Sequence, residues 1–302
     1  MDAPHPDSLI RAPSGRAVEL KVHRCNWSGV HPENSLSALE ECSRERVLRV
    51  EIDVQMLRDA AWAVFHDDRV DRATTASGRV RDLTAVELSR ARFRGTSQRV
   101  PLLSEALALI ANAAYPRTIE LDLKADAPIP WPRVEELARA VEPAKARIVF
   151  GGTADWNLRR LLSVDPTLPV SLNPHAYLDY GERNGRLPAG AYGYLDAHPL
   201  ARRRLGSVGD YLRDRFGGVM RLVPGAREAH LRLRMFEKML DDGVGDAAEI
   251  FHALNVKVDV WTLDAGMARW QHRLARALGA AVDIITTNTA HALAAAARAI
   301  EP

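Results

Sequence analysis

The stretch LRVEIDVQM, residues 48–56, alternates apolar and polar residues without a break, which is the two-residue period of a β-strand. Seven further short runs rich in apolar and β-branched residues recur along the 302-residue chain, at 17–24, 118–124, 147–152, 168–174, 218–224, 256–264 and 282–288. The segments between these runs carry apolar residues three and four positions apart, as in a helix, for example at 35–46, 103–114 and 132–141. Eight strands that alternate with helices predict an α/β protein built as a single-domain (β/α)8 TIM barrel. An open dinucleotide-binding sheet is disfavoured because no G-x-G-x-x-G follows the first strand.

Local signals also mark where individual helices begin. Ser35 and Ser104 are expected to cap the N-termini of two helices, since a serine hydroxyl accepts a hydrogen bond from a free backbone N–H. Pro132 suits the first turn of a third helix, where its missing N–H has no partner to lose.

Two segments are too long to be simple loops between a strand and the next helix. Residues 58–88 form a polar insertion after the second strand, and residues 177–215, rich in Gly, Pro, Tyr and Arg, form a candidate lid between the fifth and sixth strands. Both are expected on the face where the C-terminal ends of the strands meet, which carries the active site in TIM barrels. The sequence thus divides into an N-terminal extension, 1–16, and the barrel, 17–302.

Composition limits the classes of partner. Forty-one basic and thirty-nine acidic residues leave a net charge of +2, so any phosphate recognition must be local. No nucleic-acid partner is expected, because the short cluster 202–204 of arginines lacks interleaved aromatic residues. No signal peptide or transmembrane run is apparent, and the two cysteines fit neither a disulfide framework nor a metal clip. A soluble, cytoplasmic protein is expected; the sequence does not indicate its oligomeric state.

Acidic residues are concentrated on the second and third strands. Glu51 and Asp53 are two apart, so they share one strand face about 6.6 Å apart along the backbone. Glu120, Asp122 and Lys124 repeat the arrangement on the third strand. Carboxylates that converge at a barrel mouth are too costly to bury unless they bind a metal or pair with cations. Oxygen ligands favour one hard divalent cation, Mg²⁺ or Ca²⁺, and a structural network with neighbouring basic residues is the alternative.

Two histidines end apolar runs near these acids. His23 closes the first strand, and His66 closes the run AWAVF within the insertion. A single histidine at such a position is commonly a packed or surface residue, but two beside a carboxylate pair suggest proton transfer near neutral pH. Arg24 and Lys124 would supply positive charge for phosphate oxygens.

The ordered motifs resemble the glycerophosphodiester phosphodiesterase family. The chain carries HR-x(7)-PENS, EIDVQ, VFHDDRVDRATTASGRVRDLT, DLK, VDVWTLD and AVDIITTN in the family's order, between residues 22 and 290. The resemblance implies a TIM-barrel hydrolase that depends on one divalent cation, Mg²⁺ or Ca²⁺. Its small-molecule substrate would be a glycerophosphodiester, cleaved to glycerol phosphate and an alcohol as part of lipid metabolism.

Matched position by position, the family's motifs imply roles for ten residues. His23 and His66 would be catalytic, Arg24 and Lys124 would bind the substrate phosphate, Glu51, Asp53 and Asp122 would hold the metal, and Glu33, Asn34 and Trp261 would shape the substrate site. We favour His23 as the base and His66 as the acid, although the sequence leaves the direction open.

The sequence departs from the family pattern at several positions, and these departures leave other activities open. Cys25 replaces the usual glycine after the H-R pair and is interpreted as a packed thiol, while the aspartate of DLK also resembles sphingomyelinase D and phospholipase D-like toxins. The alternatives are therefore a lysophospholipase D or sphingomyelinase D-like enzyme that releases a cyclic phosphate, and a phosphodiesterase for a specialised metabolite. A barrel that only binds phosphorylated ligands is the non-enzymatic alternative.

Overall fold

The structure is a computed structural model that describes residues 3–179, 194–196, 198, 206–245 and 247–300. The strands are β1 Leu9–Arg11, β2 Ala17–Val22, β3 Arg49–Met56, β4 Trp62–Val64, β5 Thr118–Leu123, β6 Ile148–Gly152, β7 Ser171–Leu172, β8 Leu178–Asp179, β9 Leu195–Asp196, β10 Glu228–Arg232, β11 Lys257–Trp261 and β12 Ile284–Thr287. The helices are α1 Leu36–Arg44, α2 Ala85–Ser89, α3 Leu103–Asn112, α4 Trp131–Val141, α5 Asp155–Val164, α6 Val208–Met220, α7 Leu233–Asp241, α8 Glu249–His252, α9 Trp270–Gly279 and α10 Ala290–Ile300.

Eight of these strands form one parallel sheet in the order β6-β5-β3-β2-β12-β11-β10-β7. A parallel bridge between Phe150 of β6 and Val170, next to β7, brings the two ends of the sheet together. The predicted (β/α)8 barrel is therefore confirmed. Short β1 pairs antiparallel with β2, so part of the N-terminal segment is attached to the barrel wall.

The predicted sixth strand, 218–224, is wrong. Its first residues complete α6, where Val219 and Met220 pack into the core, and the strand lies farther on as β10. In β10 only Ala229 and Leu231 are apolar and buried, whereas the alternate residues carry charged groups that point into the barrel. The strand therefore lacks the apolar run on which the prediction depended.

Helix boundaries were predicted in part. Ser35 accepts a hydrogen bond from the Ala38 N–H at 3.1 Å, and Pro132 is the second residue of α4, so both expectations are confirmed. Ser104 is not a cap, because α3 already begins at Leu103.

The insertion after the second strand contributes to the mouth of the barrel. Its strand β4 pairs antiparallel with β3, with Val64 opposite Val54, and places His66 two residues beyond that pair. The insertion shares a small apolar core with the residues on either side of it, formed by Leu57, Ala63, Phe65, Val70, Val80, Leu88, Ala91, Phe93 and Val100. This core fixes the loop that carries His66 against the barrel.

The candidate lid, 177–215, falls largely outside the described residues, as does the arginine cluster 202–204. Its described parts form the short pair β8–β9 and the start of α6. Among the helices that the structure describes, none is both long enough and apolar enough to cross a bilayer.

Candidate active site

The turn after β2 presents His23 and Arg24 at the mouth of the barrel. Arg24 and Cys25 both adopt left-handed backbone angles, with φ of 53° and 56°, and the Arg24 N–H donates to Glu51 Oε2 at 2.8 Å. Left-handed angles favour glycine, which explains why a Cβ at position 25 is unusual. The Cys25 side chain is fully buried, and burial raises the pKa of its thiol well above the usual value. Cys25 is thus a protonated packing residue.

Three carboxylates converge beside this turn. Glu51, Asp53 and Asp122 each offer an oxygen within 4.8 Å of the others. Glu51 Oε1 is buried and has no hydrogen-bond partner among the described residues. Burial, followed by the charge of Asp53, raises the pKa of Glu51 well above its usual value. An all-oxygen set with one unpaired buried carboxyl oxygen, whose ionised form burial disfavours, fits a hard divalent cation such as Mg²⁺ or Ca²⁺, whose charge would restore that form.

Two basic side chains contact the carboxylates. Lys124 Nζ lies 2.7 Å from Asp53 Oδ1 and 2.5 Å from Asp122 Oδ2. Burial opposes its charge, but Asp122 and Asp53 raise the pKa of Lys124 above its usual value, so it stays an ammonium. Arg24 Nε lies 3.3 Å from Asp53 Oδ2. Both cations line the same cavity, where they are available to a bound anion.

Glu33 and Asn34 of the P-E-N element hold Arg24 and Asp53 in position through hydrogen bonds. Glu33 Oε2 accepts a hydrogen bond from Arg24 Nη1 at 2.9 Å, which holds the guanidinium in place. Asn34 Nδ2 donates to Asp53 Oδ2 at 2.7 Å, and the Asp53 N–H donates to Asn34 Oδ1 at 3.1 Å. Neither Glu33 nor Asn34 lines the cavity, so they act through Arg24 and Asp53.

His23 belongs to a chain of three polar side chains. Its Nδ1–H donates to Asn288 Oδ1 at 3.0 Å, while Asn288 Nδ2 and its backbone N donate to the two oxygens of Asp264 at 2.8 and 2.6 Å. Because Asp264 only accepts, the Asn288 amide must turn its oxygen toward His23. Burial, followed by the charge of Arg24, lowers the pKa of His23 below its usual value. The imidazole is therefore neutral near pH 7, with a lone pair on Nε2.

His66 has a different partner. Its Nδ1 lies 2.8 Å from Asp67 Oδ1, and Arg72 Nε donates to the other oxygen of that carboxylate at 2.6 Å. Although burial opposes ionisation, the hydrogen bonds from Arg72 and His66 lower the pKa of Asp67. Because a carboxylate only accepts hydrogen bonds, His66 Nδ1 carries a proton and donates it to Asp67. The side chain of His66 is 35% exposed against 20% for His23, so His66 lies nearer the solvent.

The floor of the site is a separate buried charge network. The Lys21 ammonium pairs with Glu120 and lies 2.5 Å from Asp259 Oδ2. His230 Nδ1 lies 3.1 Å from Glu120 Oε1; despite burial, Glu120 raises the pKa of His230 to about 9. Glu120, His230 and Asp259 are close enough together to hold a metal. However, Lys21 and His230 already offset the negative charge of the two carboxylates. Glu228, which pairs with Arg49, extends the network.

One cavity of about 380 Å³ unites most of the predicted site. Seven of the ten predicted residues line it: His23, Arg24, Glu51, His66, Asp122, Lys124 and Trp261. Sequence reasoning assigned no role to Asp67, Asn288 or Asp264, or to Lys21 on the floor. The signal for three of these was present, since Asp67, Asp264 and Asn288 lie in the motifs VFHDDRVDRATTASGRVRDLT, VDVWTLD and AVDIITTN.

Comparisons with known proteins agree with this architecture. A glycerophosphodiester phosphodiesterase of Caldanaerobacter subterraneus subsp. tengcongensis is 27% identical over 162 residues, which cover 50% of this chain and 64% of the relative. Glycerophosphodiester phosphodiesterase 1 of Homo sapiens is 32% identical over 136 residues, 40% of either chain. The matched stretches thus span less than two thirds of each relative.

Solved structures show the same fold at low sequence identity. A glycerophosphodiester phosphodiesterase from Parabacteroides distasonis superposes with a TM-score of 0.64 at 17% identity, covering 96% of this chain and 98% of that one. A phosphodiesterase from Oleispira antarctica, solved in complex with the product sn-glycerol-3-phosphate, gives a TM-score of 0.59 at 18% identity, covering 92% and 95%.

The family model described as "Glycerophosphoryl diester phosphodiesterase family" matches residues 23–292. This match begins at His23 and extends beyond Asn288, so it includes both of these site residues and seven of the eight barrel strands; the first barrel strand, β2, ends one residue before it. The chain belongs to the glycerophosphoryl diester phosphodiesterase family.

Proposed function

We propose that the protein hydrolyses a glycerophosphodiester to glycerol phosphate and an alcohol, with the help of one divalent cation. The observation that carries this proposal is that two histidines with different hydrogen-bond partners line one cavity together with Glu51 and Asp122, two members of a cluster of three carboxylates. Family membership and the names of the relatives support the substrate class. A cytoplasmic location stays a prediction.

The carboxylates of Glu51, Asp53 and Asp122 would hold the cation. When bound there, Mg²⁺ or Ca²⁺ would polarise the phosphodiester and offset the charge that grows on its oxygens. Arg24 and Lys124 line the same cavity and would bind the non-bridging oxygens, the arginine through two parallel N–H groups.

The hydrogen-bond partners of the two histidines support different roles for them. Neutral His23, with its proton held on Nδ1 by Asn288, would accept a proton at Nε2 from the attacking oxygen as that oxygen bonds to phosphorus. His66, whose ring Asp67 holds through Nδ1, would give a proton to the alcohol oxygen as its bond to phosphorus breaks. The attacking oxygen belongs either to water or to a neighbouring hydroxyl of the substrate.

The test is a hydrolysis assay with glycerophosphocholine, glycerophosphoethanolamine and a lysophospholipid, with Mg²⁺ or Ca²⁺ added and with products identified by phosphorus NMR. We expect glycerol phosphate from the first two substrates. A cyclic phosphate would identify a substrate hydroxyl as the nucleophile, and cleavage of the lysophospholipid alone would favour the lysophospholipase D alternative.

Histidine variants test the assignment of roles. General acid–base catalysis contributes about 10²- to 10⁴-fold, so His23→Ala and His66→Ala should each reduce kcat by that order. His272→Ala, an exposed histidine on α9, is the matched control and should keep full activity. If either cavity variant retains turnover within a few-fold of the wild type, the proposed roles are wrong.

A further inference from the structure

Two residues with proposed roles in the reaction are carried by different parts of the chain. Arg24 lies in the turn after β2, whereas His66 belongs to the insertion that follows β3. A phosphate-binding guanidinium and a proton-donating imidazole must keep a fixed separation, because a misplacement of about 1 Å can lower a rate about 100-fold. The contacts that join these two segments therefore bear on the reaction.

Arg72 joins the two segments through two different N–H groups. Its Nε donates to Asp67 Oδ2 at 2.6 Å, and its Nη2 donates to Glu33 Oε1 at 2.9 Å. The second oxygen of each carboxylate faces the site. Asp67 Oδ1 accepts from His66 Nδ1 at 2.8 Å, and Glu33 Oε2 accepts from Arg24 Nη1 at 2.9 Å. These side chains thus form one chain of hydrogen bonds, with the imidazole at one end and the phosphate-binding guanidinium at the other.

The backbone on both sides of Arg72 is fixed. Val70 and Thr74 are fully buried, and the Thr74 N–H and hydroxyl both donate to the Val70 carbonyl, at 3.0 and 2.9 Å. Arg94 Nη2 donates to the Asp71 carbonyl at 2.8 Å, and Arg94 Nε donates to the Arg72 carbonyl at 3.2 Å. The turn therefore presents the Arg72 side chain from a well-supported base.

A contribution to folding does not account for these contacts. The side chain of Arg72 is 62% exposed, against 34% for Glu33 and 21% for Asp67. Ion pairs that are open to solvent stabilise a fold little, because water and salt screen their charges. Although burial opposes ionisation, the charge of Arg24 and the hydrogen bond from Arg72 lower the pKa of Glu33, so it accepts from both guanidinium groups. What the bridge does provide is a fixed orientation for both carboxylates.

We propose that Arg72 is a positioning residue: by bridging Asp67 and Glu33, it holds the His66 imidazole and the Arg24 guanidinium at the separation that a bound phosphodiester requires. The inference rests on the proposed function, in which Arg24 binds a phosphate oxygen and His66 gives a proton to the leaving alcohol. Arg72 does not line the cavity, so it acts through the two carboxylates and not on the substrate.

Kinetics with glycerophosphocholine tests this role against a matched control. Arg72→Met removes both hydrogen bonds and should lower kcat/KM about 10- to 100-fold, while the melting temperature changes by less than about 3 °C. Arg69→Met is the control, because Arg69 lies in the same insertion, is 55% exposed and pairs with Asp71 at 3.2 Å, away from the site. It should keep wild-type kinetics. Equal losses of activity in the two variants would overturn the proposal.

Two further variants distinguish positioning from a general effect of charge. Arg72→Ala leaves room for a guanidinium ion, so millimolar guanidinium chloride should restore part of its lost activity, whereas sodium chloride at the same concentration should not. Arg72→Lys keeps the charge but lacks the planar fork that reaches two carboxylates, so it should recover only a small part of the loss. Full activity in Arg72→Lys, or an equal response of Arg72→Ala to the two salts, would overturn the positioning role.

Calorimetric binding of sn-glycerol 3-phosphate separates this inference from the proposed function, since it needs Arg24 but no turnover. Arg72→Met should weaken this binding about fivefold or more, as expected when one charge-assisted hydrogen bond is weakened, and Arg69→Met should not. A wild type that binds the phosphate in this Arg72-dependent way but hydrolyses no glycerophosphodiester would refute the proposed function and support the positioning of Arg24. An active wild type whose Arg72→Met variant keeps both affinity and turnover would refute the inference alone.

Discussion

Replacing Asp264 by asparagine tests whether the orientation of one buried amide sets the position of the proton on His23. Asp264 accepts from the backbone N and from Nδ2 of Asn288, at 2.6 and 2.8 Å. The Asn288 backbone N–H cannot turn away. In Asp264→Asn the new amide must therefore keep its oxygen on that N–H and direct its NH₂ toward the Asn288 side chain. Two NH₂ groups would then face each other, and Asn288 is expected to rotate its own NH₂ toward His23.

The size of the effect follows from the hydrogen bond that His23 loses. With an NH₂ group opposite Nδ1, the stable neutral form of His23 carries its proton on Nε2, where it cannot act as a base. Restoring the competent form leaves a buried donor unsatisfied, which costs about 1–3 kcal/mol. At 1.36 kcal/mol for each tenfold change, kcat/KM for glycerophosphocholine should fall about 5- to 150-fold.

The assay combines kinetics with nitrogen-15 NMR of the His23 ring. We expect the proton on Nδ1 in the wild type and on Nε2 in Asp264→Asn, with the fold intact by circular dichroism. Asp283→Asn removes a charge from a residue that does not line the cavity and should change neither readout. If Asp264→Asn moves the proton to Nε2 and kcat/KM still stays within twofold of the wild type, the role of His23 as base is refuted.

Two further predictions concern the charged interior. Lys21→Met leaves the buried Glu120 and Asp259 without their ammonium, so the free energy of unfolding by urea should fall by about 3–5 kcal/mol at pH 7 and the melting temperature by about 5–8 °C. Lys21 helps to hold the pKa of Glu120 low against burial, so in Lys21→Met that carboxyl protonates more readily in the folded state. The loss of unfolding free energy relative to the wild type should therefore shrink between pH 7 and pH 5. A loss that stays constant over this pH range would contradict its electrostatic origin. Glu51→Gln removes the unsatisfied carboxylate oxygen and should weaken the binding of Mg²⁺ or Ca²⁺, measured by calorimetry, at least about tenfold. Asp126→Asn, in the same cavity but outside the cluster, should not weaken it. Equal losses of affinity in the two variants would refute the carboxylate site.

The strands were predictable where their outward faces pack on helices. β3 and β5 expose a continuous apolar row to the helices, which produces the alternation seen in the sequence. β10 has only Ala229 and Leu231 on that face, while the last turn of α6 and the residues after it supply Val219, Met220 and Val223 in a short run. The sequence pattern of a helix end followed by a turn was therefore taken for a strand, because both kinds of segment bury a short apolar run.

The first contacts of the site were predictable for a different reason. His23, Asp122 and Lys124 lie at or next to strand ends, and parallel barrel strands bring those ends to one face whatever the loops do. Partnerships across the barrel were not predictable, since Lys21 and Glu120 are 99 residues apart in sequence and Arg49 and Glu228 are 179 apart. Pairing at such separations depends on the register of several strands at once, which one sequence does not reveal.

The interior holds two acidic sets. The lower set contains Glu120 and Asp259, and the upper set contains Glu51, Asp53 and Asp122. The difference in charge balance between the two sets bears on where a cation would bind. In the lower set, Lys21 and His230 already supply two buried positive charges, so a metal there would have to displace an ammonium from among its partners. In the upper set, Lys124 is shared between two carboxylates and Glu51 keeps an oxygen without a partner. A divalent cation that entered the upper set would find a buried carboxyl oxygen without a partner, and its charge would favour the ionised form of Glu51 that burial disfavours. The charge balance of the barrel therefore favours one divalent cation, next to His23, over a pair of them.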